Sequence, residues 1–526
     1  MMALRPLIAV CGTTGVGKSK LAIELALALG QRKENRTHGY HGARIINADA
    51  MQVYKGMDVI TNKVSLEEQN GVDHLLMDFK QPGEQYIVTQ WVRDAMKVID
   101  ETHLRKQIPI VVGGTSYWIQ HLIFSNRLVS FDQAPAEEEL KRDPGPMSEP
   151  LARSFASLPP ELLDLLNTLP EQGPSATTQP ELAHSLHVLL STLDPPTAQR
   201  WHWRDTRKVL RNLHIIRETG RRASDILAEQ AQDTARPRYR TLCFWLYAKP
   251  EILKPRLDAR VDEMVQQGLL NEIRALREIA SANPTRSLSS PHSDSEDDSD
   301  TEAPITDYTL GIYQSIGYKE FHNYLSAPEH SEEEFKLAIE NMKSATRKYA
   351  KRQIMWIRNK LLHVANAANG ASRAEYGFDV TPTYLLDATE LGKAWDTNVR
   401  TLAEQITEDF LNGKDLPDPC SLSETAREML STSDKRPRQV SLVAFVDMRR
   451  KLVCPTCTVN EERPVMIAEG KEWDVHVRTR THRRLFKKEH RRKDAANAKQ
   501  TQPENKTEEN TSEDDSIVDA SVLFDA

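Results

Sequence analysis

Gly12, Gly17, Lys18 and Ser19 are spaced G-x-x-x-x-G-K-S in the stretch "GTTGVGKS". At that spacing glycines let backbone amides converge on phosphate oxygens. The helix that follows adds positive potential at its N-terminus, and the lysine supplies a full charge. The serine hydroxyl is placed to reach a magnesium ion bound to the phosphates. An ordinary glycine turn before a helix leaves the Lys-Ser pair unexplained. Far along the chain, Cys454, Cys457, His476 and His482 read C-x2-C-x18-H-x5-H. Two thiolates and two imidazoles are a donor set for tetrahedral zinc, although the central spacing exceeds the familiar value of about twelve. The bland alternative is a redox-inert CxxC beside unrelated surface histidines.

Elements must hold these groups in place. Residues 6–11 read as a buried strand, 13–17 as a tight loop and 18–30 as a helix. "ARIINAD", ending at Asp49, and "QIPIVVGGT", 107–115, read as further strands, and apolar strands alternating with helices predict a parallel sheet covered on both faces. The expected fold is therefore an α/β phosphate-loop core, 1–126 with 236–412. Residues 127–235, where Pro-rich breaks separate helical segments, form an expected helical insertion. Residues 413–440 read as a linker, 441–495 as a small zinc-finger module with a basic helix, and 496–526 as a disordered tail. The Ser/Asp-rich run at 282–306 reads as a disordered acidic loop.

The surroundings of the phosphate loop narrow its use. A nucleoside triphosphatase carries a magnesium-holding acid at the end of a second buried strand, but "IPIVV" runs into Gly113-Gly114-Thr115. Asp49 instead heads "NADAMQVYKGMDVITNK", which is rich in hydrogen-bonding side chains. A standard ATP hydrolase is disfavoured. A nucleotide-dependent kinase with an appended RNA-binding finger stays open, as does a non-catalytic RNA-binding protein, although intact Lys18, Ser19 and Asp49 argue against degeneracy.

Six stretches occur in a telling order: "GTTGVGKS", "NADAMQVYKGMDVITNK", "VVGGTSYW", "DTRKVLR", "SIGYKEF" and "ATRKYAKRQIMWIR". Together they resemble the tRNA dimethylallyltransferases, also called tRNA isopentenyltransferases, over roughly residues 6–365. With the terminal finger, the resemblance is to the eukaryotic branch. Thr13 departs from it, since many relatives have Pro there. The resemblance implies transfer of a dimethylallyl group from its diphosphate to the exocyclic amine of an adenine beside the anticodon. The loop, Gly12, Thr13, Thr14, Gly15, Val16, Gly17, Lys18 and Ser19, would then hold a diphosphate as leaving group, with magnesium, and Arg256 and Arg260 would lie near it.

Asp49 is expected to take the amine proton, and its plainer role is capping the next turn. By the same resemblance Asp49, Ala50, Met51 and Gln52 face the target nucleotide, the Gln52 amide reading an adenine edge. Thr115 is expected at the catalytic centre against the tRNA, with a helix N-cap as its plainer role. Arg207, Lys208, Val209, Leu210 and Arg211 are expected to touch tRNA, as are Gln314, Ser315, Ile316, Gly317, Tyr318 and Lys319. Positions 207, 208 and 211 share a helix face that could neutralise phosphates, or simply be solvated. Arg347, Lys348, Lys351, Arg352 and Arg358 are expected to line an RNA groove, around the apolar positions of the helix they share with Trp356.

Composition sets outer bounds. The 526 residues are 39% hydrophobic and 28% charged, with a mean hydropathy of -0.56, which fits a folded soluble protein with polar linkers and tails. The net charge of -7 is unevenly spread: 294–302 is acidic and 478–493 strongly basic, the latter suited to RNA phosphates or a nuclear localisation signal. Five cysteines are too few and scattered for a disulfide framework. No apolar run reaches the roughly 18 residues of a membrane span. The expected compartment is the reducing cytoplasm, with nucleus and mitochondrion open, and the expected state is a monomer.

Overall fold

The computed structural model describes residues 4–31, 38–125, 147–232, 236–282, 311–329, 331–431 and 450–500. Most of the acidic loop expected at 282–306, and the tail beyond residue 500, lie outside the described residues. Two compact units emerge: one of residues 1–143 with 226–439, the other of 144–225 with 440–526.

The first unit is built on six parallel strands: β1 Pro6–Gly12, β2 Ala43–Asn47, β3 His74–Leu75, β4 Ile108–Val112, β5 Arg240–Tyr247 and β6 Thr383–Asp387. Their order is β3-β2-β4-β1-β5-β6, so the chain moves to opposite sides of β1 as it continues. Ile8 pairs with Ile110 on one side and Leu242 on the other. Alternation sorts the side chains into two cores: Leu7, Ala9 and Cys11 on one face, Ile8 and Val10 on the other. β5 repeats this, with Cys243, Trp245 and Tyr247 opposite Leu242, Phe244 and Leu246. Strands buried on both faces read as continuous apolar runs, which is why β1, β4 and β5 stood out in the sequence. The expected α/β architecture is the one observed.

Helix α1, Lys18–Gln31, leaves the phosphate loop; α2 spans Val88–Leu104, and α3, Ser116–Ile123, follows β4. A long helix, Glu332–Trp356, starts with the Ser331 hydroxyl accepting from the Glu334 amide and three glutamates in its first turn, both favourable at a helix N-terminus.

The expected linker at 413–440 needs correction. Within it Pro419–Ser421 and Glu424–Leu430 are helical, and Thr425, Ala426, Met429 and Leu430 are buried. The Thr425 hydroxyl donates to Asp387 at 2.7 Å and the Tyr384 hydroxyl to the Pro417 carbonyl at 2.8 Å, tying the segment to β6. Its prolines and polar residues hide an apolar stripe of under two turns. Residues 432–440 lie outside the described residues.

In the second unit Leu186, Leu189, Leu190, Val209, Leu210 and Leu213 form the centre of a helical core. Helices Pro180–Leu193 and Thr206–Thr219 carry it. Two short antiparallel strands, β7 Lys451–Val453 and β8 Met466–Ala468, precede helices Lys471–Val477 and Arg480–Gln500. The buried Trp203 indole donates to the Pro464 carbonyl at 2.9 Å, and the Lys451 amide to the Gln199 carbonyl at 2.6 Å. The two stretches, separated in sequence, are hydrogen-bonded into one body.

Candidate active site

The C-terminal ends of β1, β2 and β4 bring three motifs side by side, where open α/β sheets bind ligands. The phosphate loop leaves β1. Gly17 takes φ +84° with Trp395 behind it: a Cβ there would lie 2.6 Å from the indole ring. The loop therefore needs glycine both for its backbone and for the space. Lys18 Nζ donates to the Thr13 carbonyl at 2.7 Å. Burial pushes its ammonium down to about 8, with Asp49 working the other way and Arg260 adding to the drop. A cation held with so little solvent gains by meeting an anion.

Arg260 reaches the same loop, donating from Nη1 to the Thr14 hydroxyl at 2.8 Å, and burial lowers its guanidinium too. Arg256, expected beside it, is committed elsewhere: it donates to the carbonyls of Ala388 and Thr389 at 3.2 and 2.9 Å. One helical turn separates the two arginines, and only the second meets the loop. Thr14 also departs from expectation, since its amide donates to Gln353 Oε1 at 2.9 Å.

Asp49 caps the turn that follows it with one carboxylate oxygen and turns the other toward Gly114. Oδ1 accepts the Met51 amide at 2.9 Å, a local turn. Oδ2 faces Gly114, where an added Cβ would lie 3.1 Å from it. The Asn47 side chain fixes the approach by accepting the Asp49 amide at 3.0 Å and donating to the Asp49 carbonyl at 3.1 Å. Thr115 occupies the N-cap position of α3 without a side-chain cap bond; its hydroxyl instead accepts the Ala50 amide at 3.1 Å. Gln52 Nε2 donates to the carbonyls of Thr61 and Asn62, at 3.1 and 3.0 Å, which orients its amide. A Cβ on Gly113 would sit 2.2 Å from the Ala48 carbonyl, so strands β2 and β4 can close up only around glycine.

A family model described as IPP transferase matches residues 52–360. The chain belongs to the IPP transferase family. A tRNA dimethylallyltransferase of Schizosaccharomyces pombe is 34% identical over 494 residues, 93% of this chain and 96% of that one. One from Homo sapiens is 30% identical over 499 residues, 92% and 87% of the two chains. A solved structure described as a eukaryotic dimethylallyltransferase acting on tRNA superposes with a TM-score of 0.64 at 30% identity, covering 94% of this chain and all of that one.

Within this IPP transferase, several expected RNA contacts are internal. Val209 and Leu210 lie in the helical core; Arg207 and Lys208 of the same run are exposed. Ser315 and Tyr318 are buried, and the Gly317 amide donates to Glu320, while Gln314 and Lys319 reach solvent. Arg347 pairs with Asp258 at 2.5 Å; Lys348, Lys351, Arg352 and Arg358 are exposed. Ile316 is partly buried against the first unit's core. In each stretch a helical or turn period buries some positions and exposes the rest, which a contiguous motif conceals.

Gln353, inside the basic run, is a residue that the motif did not single out. It shares the buried face of its helix with Ala350, an amide where an apolar side chain is usual, and that break in the stripe was the available signal. Tyr349, one turn earlier and beside Gly114, has its phenol pushed up by burial first and by Asp49 second.

The metal-binding expectation meets a matching geometry in the second unit. The donor atoms of Cys454, Cys457, His476 and His482 all lie within 4.8 Å of one another. His482 Nδ1 is 3.4 Å from each sulfur, close to the ~3.6 Å edge of a tetrahedron with zinc-length bonds. His476 Nε2 is buried without a hydrogen-bond partner, as an unmetallated ligand is. The four residues can hold a metal ion. No helix among the described residues is long and apolar enough to cross a membrane.

Proposed function

We propose that the chain transfers a dimethylallyl group from dimethylallyl diphosphate to the N6 amine of the adenosine adjacent to the anticodon of a tRNA, releasing diphosphate. One observation carries this reading: Lys18 and Arg260 gather on the phosphate loop while Asp49 Oδ2 lies across from it at Gly114, where the β4 end has no acid. A site with an anion cradle facing a lone carboxylate suits displacement of diphosphate by a neutral amine.

The N6 lone pair attacks the allylic C1, the bond from C1 to the bridging oxygen breaks, and its electron pair leaves with diphosphate. Lys18 and the loop amides stabilise the charge that develops there. Asp49 Oδ2 takes the proton that N6 gives up. Ser19 would hold magnesium, which supplies further charge neutralisation on the departing diphosphate. The adenine must leave its stack to be reached, which costs least in a loop. Cys454, Cys457, His476 and His482 would hold zinc, fixing the basic helix Arg480–Gln500 for contact with phosphates.

The test is incubation of the purified chain with dimethylallyl diphosphate and an unmodified tRNA transcript, followed by nucleoside analysis. The expected product is N6-prenylated adenosine. Nucleoside triphosphate turnover without prenylation would instead favour the kinase reading.

A further inference from the structure

Two blocks meet at the site, and each is internally well tied. In the first, the phosphate loop, Lys18 bonds back to Thr13, and Arg260 to Thr14. In the second, the Thr115 amide donates to the Ala48 carbonyl at 3.2 Å and the Thr115 hydroxyl accepts from Ala50, locking Asp49 to Gly114 and Thr115. The sheet ladder joins the blocks only up to the Gly113 amide, which donates to Val10 at 3.3 Å. Past that bond the chains diverge into loops. Gln353 spans the gap: its Oε1 accepts the Thr14 amide at 2.9 Å and its Nε2 donates to the Gly114 carbonyl at 3.0 Å.

We propose that Gln353 is a positioning residue for the transfer step, setting the distance between the diphosphate cradle and the carboxylate that receives the proton. The residue is 5% exposed and sits in the last turn of helix Glu332–Trp356, where the chain runs directly into the helical segment Ile357–Leu361, so its amide is held by the fold. A Cβ at Gly114 would lie 2.7 Å from Nε2, so glycine is needed for the amide to come this close. An amide is the group that can accept at one end and donate at the other. In a displacement the leaving group and the proton acceptor must be correctly placed at once, and a misplacement of about 1 Å can cost about 100-fold in rate. The inference rests on the prenyl-transfer reading above.

The test uses the full chain and two near-isosteric variants. Gln353→Met breaks both bonds; Gln353→Glu keeps an acceptor for Thr14 but loses the donor to Gly114. Single-turnover transfer at saturating dimethylallyl diphosphate and tRNA is expected to fall at least about tenfold in both, since a bridge cut at either end no longer bridges. The Kd for dimethylallyl diphosphate in Gln353→Met is expected to stay within about threefold, because Lys18 and Arg260 keep their places. Wild-type protein that makes no prenylated adenosine removes the functional reading and this inference together. Wild-type turnover matched by either variant removes the inference alone, as does a loss carried wholly by the diphosphate Kd. Failure of both variants to unfold cooperatively also overturns it, since the bridge would then serve stability.

Discussion

The phosphate loop and the terminal metal group both surround a place for a charged guest, but they are prepared differently. Around the loop, groups far apart in sequence are already bonded: Thr14 to Gln353 and Arg260, and Gly114 to Gln353. These internal bonds give the loop its shape, and a six-stranded core supports it. At the metal group the four donor atoms converge over a small core, with β7 and β8 only three residues each and one imidazole nitrogen buried unpaired. There a bound metal ion, as proposed, would complete the fold. One site is shaped by bonds that cross the whole fold; the other would be completed by the metal it is proposed to hold.

The largest effect is expected from Asp49→Ala, which should lower single-turnover transfer by about 10²- to 10⁴-fold while leaving tRNA affinity within a few-fold. Lost tRNA binding would reassign Asp49 to recognition. Next, Cys454→Ser or removal of the metal by a chelator should weaken tRNA binding by about tenfold and raise protease sensitivity within 450–500, without slowing chemistry at saturating tRNA. An unaltered protease pattern would mean the module folds without its guest, erasing the contrast.

The prepared site also makes a pH prediction. Lys18 in the ligand-free protein is held down to about 8, so it is charged below that pH and loses its proton above it. Bound diphosphate favours the charged form, so binding should take up a proton above pH 8. Affinity should fall about tenfold per unit once pH passes that value. Titration of diphosphate by calorimetry in buffers of different ionisation enthalpy measures both; a flat profile from pH 7 to 9 would count against a prepared Lys18. The smallest effect is expected for Arg207→Ala, which should reduce the salt slope of tRNA binding by about 0.7–0.9 with little change in rate. An unchanged slope would make this exposed face a solvated one.

Sequence reading went furthest where chemistry and local period coincide. The loop between a buried strand and a helix, and the Cys-Cys-His-His spacing, need only nearby residues, so their placement was legible. Gln353 was hidden because its meaning lies in Thr14 and Gly114, more than two hundred residues away. Arg256 and Arg260 looked equivalent on a helix, and only the packed structure shows one committed to the carbonyls after β6. Val209 and Tyr318 belong to motifs that resemble RNA-contacting stretches, yet the burial of alternate positions assigns them to the core. The helical turns at 419–430 were missed because they are stabilised by β6 and not by a period of their own.

The tight fit at Gly113 has an evolutionary consequence. With the Ala48 carbonyl 2.2 Å from where any side chain would begin, no aspartate can stand at position 113, just past β4, without prising two strands apart. For a descendant of this scaffold, the first residue past β4 is no route to an acidic metal ligand. The route is closed by backbone contact, before selection on activity ever acts.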